Sequence, residues 1–406
     1  MDRIRLLIAG VSGHPETFLQ RLIEGLARAG VDVTLASKRK PKMVNSFKVH
    51  WIQIPTWSSA IIIRLLRLLW MGLRGFLQSP SNMKWILSKT QFRSWSSIRE
   101  TLITWSRLFP FAGKEFDIIY FPWNSAAIQY LPLFDRGCPV IVSCRGSQIN
   151  IAPHNPERYN IRLGLHITFH RAAAVHCVSE AIKNEAMKYG LNPRKAWVIR
   201  PAVDPHFFYP ANKRDQREKD VFKLISVGSL IWRKGYEYAL TAVRLLVDHG
   251  VPVYYEIIGD GPERKRVLYT IHDLELDEHV RLVGQLSPRK VRDHLQAADV
   301  FVLSSLSEGI SNAVLEAMAC GLPVVTTDSG GMREAVWNGV EGYVVPVRNP
   351  EAMKNALLRL WKNPDLRVEM GVRARKRILH EFTLERQISS FLKLYTTVIQ
   401  EYRRSN

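Results

Sequence analysis

Two acidic residues, Glu308 and Glu316, stand eight positions apart across a Gly309-Ile310-Ser311-Asn312 loop in the stretch SEGISNAVLEAMACGLPVVTTDSGG. The loop follows DVFVLSS, which reads as a strand, and Ser311 and Asn312 read as the start of a helix over 312–319. In an open α/β sheet, ligands bind beyond the carboxyl ends of the strands. A helix N-terminus there offers N–H groups and partial positive charge to a phosphate, while carboxylates beside it accept hydrogen bonds from sugar hydroxyls. A phosphorylated sugar derivative meets both demands. Spacing alone carries little, because Glu16 and Glu24 are also eight apart on an ordinary surface helix; position at a strand end distinguishes Glu308 and Glu316.

A second stretch, SVGSLIWRKGYEYAL, places Gly228 and Ser229 at a strand end, then the adjacent cations Arg233 and Lys234, then Gly235 opening a helix. Two cations after such a turn suit a diphosphate and would stabilise its charge as it leaves. Alone, such an Arg-Lys pair is a solvated turn more often than a site. The acidic pair on an equivalent loop of the same sheet favours a site.

The elements that must hold these loops alternate. IRLLIAGV, a loop, the helix TFLQRLIEGLARAG and VDVTLAS open the chain as a βαβ unit; FDIIYFP, CPVIVSC and KAWVIRPAV add strands, with a helix-rich segment at 166–190. The charged run ANKRDQREKD, 211–220, has the composition of a linker. The alternation then restarts: VFKLISVGSL, helix 235–249, VPVYYEIIGDG, helix 262–275, HVRLVG, helix 288–296, DVFVLSS, helix 312–319, PVVTT, helix 331–336 and GYVVPV. Continuous apolar strands between helices mean parallel sheets covered on both faces. Residues 350–403 read as helical, broken at Pro364. The expected fold class is therefore α/β, with two doubly wound domains: 1–204 together with the terminal helix 384–406, and 205–383.

The length, 406 residues, allows two sizeable cores, and the net charge of +20 favours an anionic partner: nucleic acid, a phosphorylated ligand or an acidic membrane surface. The four cysteines, Cys138, Cys144, Cys177 and Cys320, show no metal-ligand spacing, which fits a reduced, cytoplasmic setting. The N-terminal apolar run is too short for a signal peptide, and no stretch has the apolar length of a membrane span.

Residues 51–123 are unlike the rest: they hold seven of the eleven tryptophans, and 61–114 carries nine Lys or Arg against a single acid, Glu100. In IIIRLLRLLWMGLRGFL, Arg64, Arg67 and Arg74 share one side of a helix, and Trp70 joins Ile, Leu and Phe on the other. Two readings stand open: a core helix with a solvated Arg stripe, or a basic amphipathic helix lying on a membrane surface.

VGSLIWRKG, IIGDGPER, VRLVGQL, the 297–331 stretch and the terminal EFTLERQISSFLKLY, in that order, resemble the family-4 retaining glycosyltransferases with the GT-B fold, over nearly the whole chain and most densely at 221–345. The resemblance implies two Rossmann-like domains facing a cleft, with the C-terminal helix crossing back to the N-terminal domain. It implies Glu308 at the donor sugar hydroxyls, Glu316 at the ribose, Arg233 and Lys234 at the diphosphate, and Gly284, Gln285 and Leu286 lining the nucleobase pocket. Gly13, in GHPETFLQRLIEGLARAG, would let backbone approach the diphosphate. Where many relatives have His-Gly, this chain has Arg145-Gly146; a guanidinium orients an oxygen or phosphate but is a poor base.

The expectation is thus a retaining hexosyltransferase that takes a UDP- or GDP-sugar and a lipid-linked or polysaccharide acceptor, peripheral at the cytoplasmic face of the membrane. No cofactor or metal is expected, since the chain has no Asp-x-Asp pair and its cations replace a metal's charge. Two alternatives stand beside it. One is a sugar-nucleotide epimerase or hydrolase of the same fold; the other is a non-enzymatic basic protein binding membrane or nucleic acid, the latter not expected as a partner of the enzyme.

Overall fold

A computed structural model describes residues 3–11, 13, 15–41, 49–55, 61–88, 95–158, 160–211 and 221–405. The chain forms two compact units: the first holds 1–177, 183–199 and 388–406, the second 178–182 and 200–387. All but the first residue of the charged run 211–220 lies outside the described residues.

The first unit is built on a parallel sheet of seven strands: β1 (Arg5–Val11), β2 (Asp32–Ser37), β3 (His50–Gln53), β4 (Ile118–Phe121), β5 (Val140–Cys144), β6 (Ala174–Cys177) and β7 (Ala196–Val198). Their spatial order is β3-β2-β1-β4-β5-β6-β7. The second has six parallel strands: β8 (Phe222–Val227), β9 (Val253–Ile258), β10 (Val280–Gly284), β11 (Val300–Leu303), β12 (Val324–Thr327) and β13 (Gly342–Val345), ordered β10-β9-β8-β11-β12-β13. Each sheet therefore reverses its strand order once, between β1 and β4 and between β8 and β11. Those are the points where adjacent loops run to opposite faces and leave room for a ligand.

Strands β4, β5, β11 and β12 are buried along their whole length, as their largely apolar sequences require under helices on both faces. The terminal helix, Leu384–Ser405, begins with the second unit and continues with the first from Ile388. There Ile388, Phe391, Leu394 and Val398 join Leu6, Ile8 and Ile23 in one core. Gly25 makes this packing possible: a Cβ there would stand 2.5 Å from the Ile388 side chain.

Two readings of the sequence are corrected. The segment 166–190 contains a strand, β6, between the helices Asn160–Arg171 and Glu180–Met187. Four residues, Ala-Val-His-Cys, are too short a run to show a strand period. Between β3 and β4, where one helix is legible in the sequence, the described residues form three α-helices: Ile61–Gln78, Pro80–Ser88 and Trp95–Leu108.

The first of these three is not a core helix. It packs through a narrow seam at Leu68, Gly72 and Gly75, the two glycines admitting Phe109 and Met83. Leu69 is 70 % exposed, Trp70 59 % and Leu77 79 %, and Leu66 and Leu73 are exposed with them. Arg67 and Arg74 lie among these residues rather than opposite them, and the Arg74 guanidinium sits 5.3 Å from the Trp70 ring. The side chain of Arg64 lies outside the described residues. No helix among the described residues is long and apolar enough to cross a membrane.

Candidate active site

The cations and the first glutamate meet at the strand-order reversal of the second unit. The chain leaves β8 at Gly228 and Ser229, makes a single helical turn over Trp232–Lys234, and enters the helix Tyr236–Asp248 through Gly235. Gly235 has φ +58°, and a Cβ there would stand 2.6 Å from the Ser304 carbonyl oxygen, so this turn lies directly on the loop that leaves β11. Ser304 Oγ donates to the Lys234 carbonyl at 3.0 Å, and the Leu306 N–H donates to that of Arg233 at 2.8 Å.

Across this seam Lys234 Nζ donates to Glu308 Oε1 at 2.6 Å, Ser305 Oγ donates to the same oxygen at 2.8 Å, and Arg233 Nη1 stands 3.8 Å from Glu308 Oε2. Glu308 is 6 % exposed. Burial alone would raise its pKa, but the charge and hydrogen bond of Lys234, the charge of Arg233 and the Ser305 hydroxyl outweigh it and hold the carboxyl below the ordinary carboxylate range. Glu308 is thus a buried anion, and Lys234, with three N–H donors, spends one on it.

Behind Glu308, Gly330 has φ +60° and a Cβ there would overlap the Glu308 carbonyl oxygen at 1.9 Å; the Gly331 N–H donates to the Gly309 carbonyl at 2.7 Å. The glycine pair that closes the quoted stretch therefore lets two loops touch backbone to backbone, fixing the Glu308 loop from below. Ile310 and Ser311 are buried, and the helix Asn312–Ala319 starts there, its first-turn N–H groups lacking intrahelical acceptors by geometry. Glu316, one turn in, is half-buried on this helix.

Gly284 ends β10, two strands from β8, and Gln285 and Leu286 follow it. They connect to the site through backbone: the Gly259 N–H donates to the Gly284 carbonyl at 2.9 Å, and a Cβ on Gly259 would stand 2.0 Å from the Gly228 carbonyl oxygen. Gly284 itself has φ +83° with open space where its Cβ would be.

The remaining expected residues lie in the first unit. Gly13 follows β1, with nothing within 4 Å of where a Cβ would be, so packing does not demand glycine there. Arg145 leads into the helix Gly146–Asn150; its Nε donates to the Pro122 carbonyl at 3.2 Å and its guanidinium lies 3.9 Å from the Phe18 ring. Near it, His176 is buried and fully partnered: Nδ1 faces Tyr120 Oη at 3.1 Å and Ser143 Oγ at 2.9 Å, and Nε2 faces the Ile199 carbonyl at 2.9 Å. Burial, with the Arg145 charge adding to it, pushes this imidazole down to about 3, so it is neutral, with its proton on Nε2 toward the carbonyl.

Ser305, Gly259 and Gly330 are structural members of the site that spacing did not single out. The glycines were visible in IIGDGPER and TTDSGG; nothing in the sequence distinguishes Ser305 from its serine neighbours. Among the described residues, no group of three or more His, Cys, Asp or Glu is placed to hold a metal ion.

Comparison with known proteins bears on the family and the fold. The family model "Glycosyl transferases group 1" matches residues 210–377, and "Glycosyltransferase Family 4" matches 15–207. The amylovoran biosynthesis glycosyltransferase AmsK of Erwinia amylovora is 31 % identical over 225 residues, 53 % of this chain and 55 % of that protein. An Escherichia coli UDP-Gal:α-D-GlcNAc-diphosphoundecaprenol α-1,3-galactosyltransferase is 29 % identical over 219 residues, 52 % of this chain and 56 % of that one. The match thus spans little more than half the length of these relatives. Anabaena HepE, solved in complex with UDP, shares the fold with a TM-score of 0.72 at 17 % identity, over 97 % of this chain and all of that one.

Proposed function

The chain belongs to the glycosyltransferases of group 1 and family 4, and from that premise we propose that it moves a hexose from a UDP-sugar to a lipid-linked glycan acceptor with retention of anomeric configuration. The observation that carries the proposal is the buried Glu308 carboxylate, held by Lys234, Arg233 and Ser305 beside a helix N-terminus. A diphosphate entering there meets two cations whose charge Glu308 offsets only in part, together with backbone N–H groups. As the bond from the sugar C1 to the phosphate oxygen breaks, negative charge grows on the leaving diphosphate. Lys234 and Arg233 stabilise it without having to move far. The acceptor hydroxyl then bonds to C1 on the face the phosphate leaves, and its proton passes to the departing phosphate oxygen.

Glu308 takes the donor sugar hydroxyls and Glu316 the ribose hydroxyls. Gly284, Gln285 and Leu286 line the nucleobase pocket, and Gly228 and Ser229 let the diphosphate approach β8. Gly13, Arg145 and Gly146 serve the first unit's part. With two cations in place, transfer needs no metal, and activity should survive a chelator undiminished.

UDP is chosen over GDP because the Escherichia coli relative is named for UDP-Gal and HepE was solved with UDP-glucose. Calorimetric titration of UDP and GDP without metal tests the donor site: UDP should bind at micromolar concentration and GDP at least tenfold more weakly. Glu316→Ala should weaken UDP about ten- to hundredfold, the loss of a hydrogen bond pair to a charged group. Equal binding by that variant would sink the donor assignment.

The lipid-linked acceptor and a place on the inner membrane face rest on the helix Ile61–Gln78. Its exposed Leu66, Leu69, Trp70, Leu73 and Leu77, with Arg67 and Arg74 among them, form a surface that water does not favour and an anionic bilayer does. Flotation with vesicles containing anionic lipid should recover the wild type, and Leu69→Ser/Leu73→Ser should cut the bound fraction severalfold while UDP affinity stays unchanged.

A further inference from the structure

The first unit contains a cavity that no role above uses. It has a volume of about 380 Å³ and lies beyond the carboxyl ends of β4 and β5, lined by parts of the helices Asn124–Ala127, Gly146–Asn150 and Asn160–Arg171. Two of its lining residues, Asn124 and Gln148, each carry a buried side-chain atom, Nδ2 and Oε1 respectively, without a hydrogen-bond partner in the protein. Asn124 is 1 % exposed, and its Oδ1 accepts from the Ser125 N–H at 2.8 Å, so the orientation of the amide is fixed and the NH2 group is the end left over. One orphan is therefore a donor and the other an acceptor.

Each such buried, unpaired group costs roughly 1–3 kcal/mol, so two lining residues carrying unpaired groups of opposite kind call for a ligand group that answers both. A hydroxyl donates and accepts at once. Ser125 and Ser147 extend the polar side, while Ile151 and Leu165 offer apolar walls to C–H faces. In a chain of net charge +20, none of the described lining residues is charged. A phosphate or carboxylate would lose its water there with no cation in return, and an apolar ligand would leave both amide atoms unpaired.

We propose that this cavity binds a neutral, polyhydroxylated ring, with Asn124 donating to and Gln148 accepting from its hydroxyls. Resting on the transferase reading, it is the subsite for the sugar of the acceptor, and it makes Asn124 and Gln148 specificity-determining residues. Its volume falls within the ordinary range of small-molecule sites, roughly 300–1,000 Å³.

Saturation-transfer NMR on the full chain tests this, with methyl glycosides of glucose, galactose and N-acetylglucosamine as probes and UDP present at saturation to occupy the donor site. At least one glycoside should receive signal, and Gln148→Leu should weaken its binding about five- to hundredfold, as expected for one lost hydrogen-bond partner of a buried group. UDP affinity should stay within about twofold. If Asn124→Leu fails to fold by circular dichroism, Gln148→Leu and Ser147→Val decide. Three results overturn the proposal: no glycoside signal while UDP binds, undiminished binding by Gln148→Leu, or a stronger response to inositol 1-phosphate than to every glycoside. Should UDP itself not bind, the donor reading fails separately, and the glycoside signal measured without nucleotide still decides the cavity.

Discussion

The two units share one strand-order plan, yet their strand ends are dressed in opposite ways. In the second unit, the loops leaving β8 and β11 bring together a lysine, an arginine and a buried glutamate, all charged, with the two cations only partly offset by the one carboxylate. In the first, the loops and strand ends after β4, β5 and β6 hold a neutral histidine, hydroxyls, two unpaired amide atoms and one arginine stacked on Phe18. The parallel sheet supplies only a place at the reversal of strand order; the loop residues decide whether that place receives an anion or a hydroxylated neutral group.

The largest effect that would break this contrast is at Lys234. Lys234→Met removes the cation closest to Glu308 and leaves a buried carboxylate with a distant arginine. Breaking a buried pair in this way costs about 3–5 kcal/mol of stability. Loss of one preorganised charge at the leaving group costs about 10²- to 10³-fold in turnover. The double variant Lys234→Met/Glu308→Gln should regain much of the thermal stability and none of the activity. A single variant with turnover within tenfold of wild type would show that the charge cluster serves the fold rather than the reaction.

Acid should separate the units next. His176 has a folded pKa of about 3, below the ordinary value near 6.5, so the unfolded chain binds a proton that the folded one refuses. The stability this linkage touches is complete above about pH 6.5 and is lost as pH falls toward 3, by a few kcal/mol. Glu308, also depressed, begins to lose its contribution only as pH falls to the ordinary carboxylate value and below. Amide exchange followed from pH 7 to pH 5 should therefore show β5 and β6 losing protection before β11 and β12, and His176→Gln should flatten that loss. Simultaneous loosening of both sheets would remove the distinction.

The same contrast explains what the sequence made legible. Charged candidate residues of the second unit lie in two contiguous stretches, at 228–235 and 308–316, each after a clear apolar strand, so strand position singled them out as candidates. The polar members of the first unit come from separate short elements: Tyr120, Ser143 and His176 from β4, β5 and β6, Asn124 and Gln148 from two short helices. No local period joins them, and β6 itself was hidden between helices. The helix Ile61–Gln78 was visible, but which of its faces would be exposed was not, because that depends on glycines at 72 and 75 meeting side chains more than a helical turn away in sequence.

The smallest effect expected, and the sharpest on the first unit, is at Arg145. Its guanidinium stacks on Phe18 and donates to the Pro122 carbonyl, and its charge helps hold His176 neutral. Lysine keeps the charge but not the planar stack or the Nε donor, so Arg145→Lys should lower stability by about 0.5–1 kcal/mol and leave the pH profile of β5 and β6 in place. Arg145→Met, which removes the charge, should let His176 protonate at higher pH and narrow the window over which protection is lost. If Arg145 also positions the acceptor, Arg145→Lys raises KM for the acceptor severalfold while UDP affinity is untouched; a change in thermal stability alone would confine the residue to the fold. Because the predicted change in UDP affinity is nil, this variant separates the neutral end of the first unit from the charged end of the second more cleanly than any larger substitution.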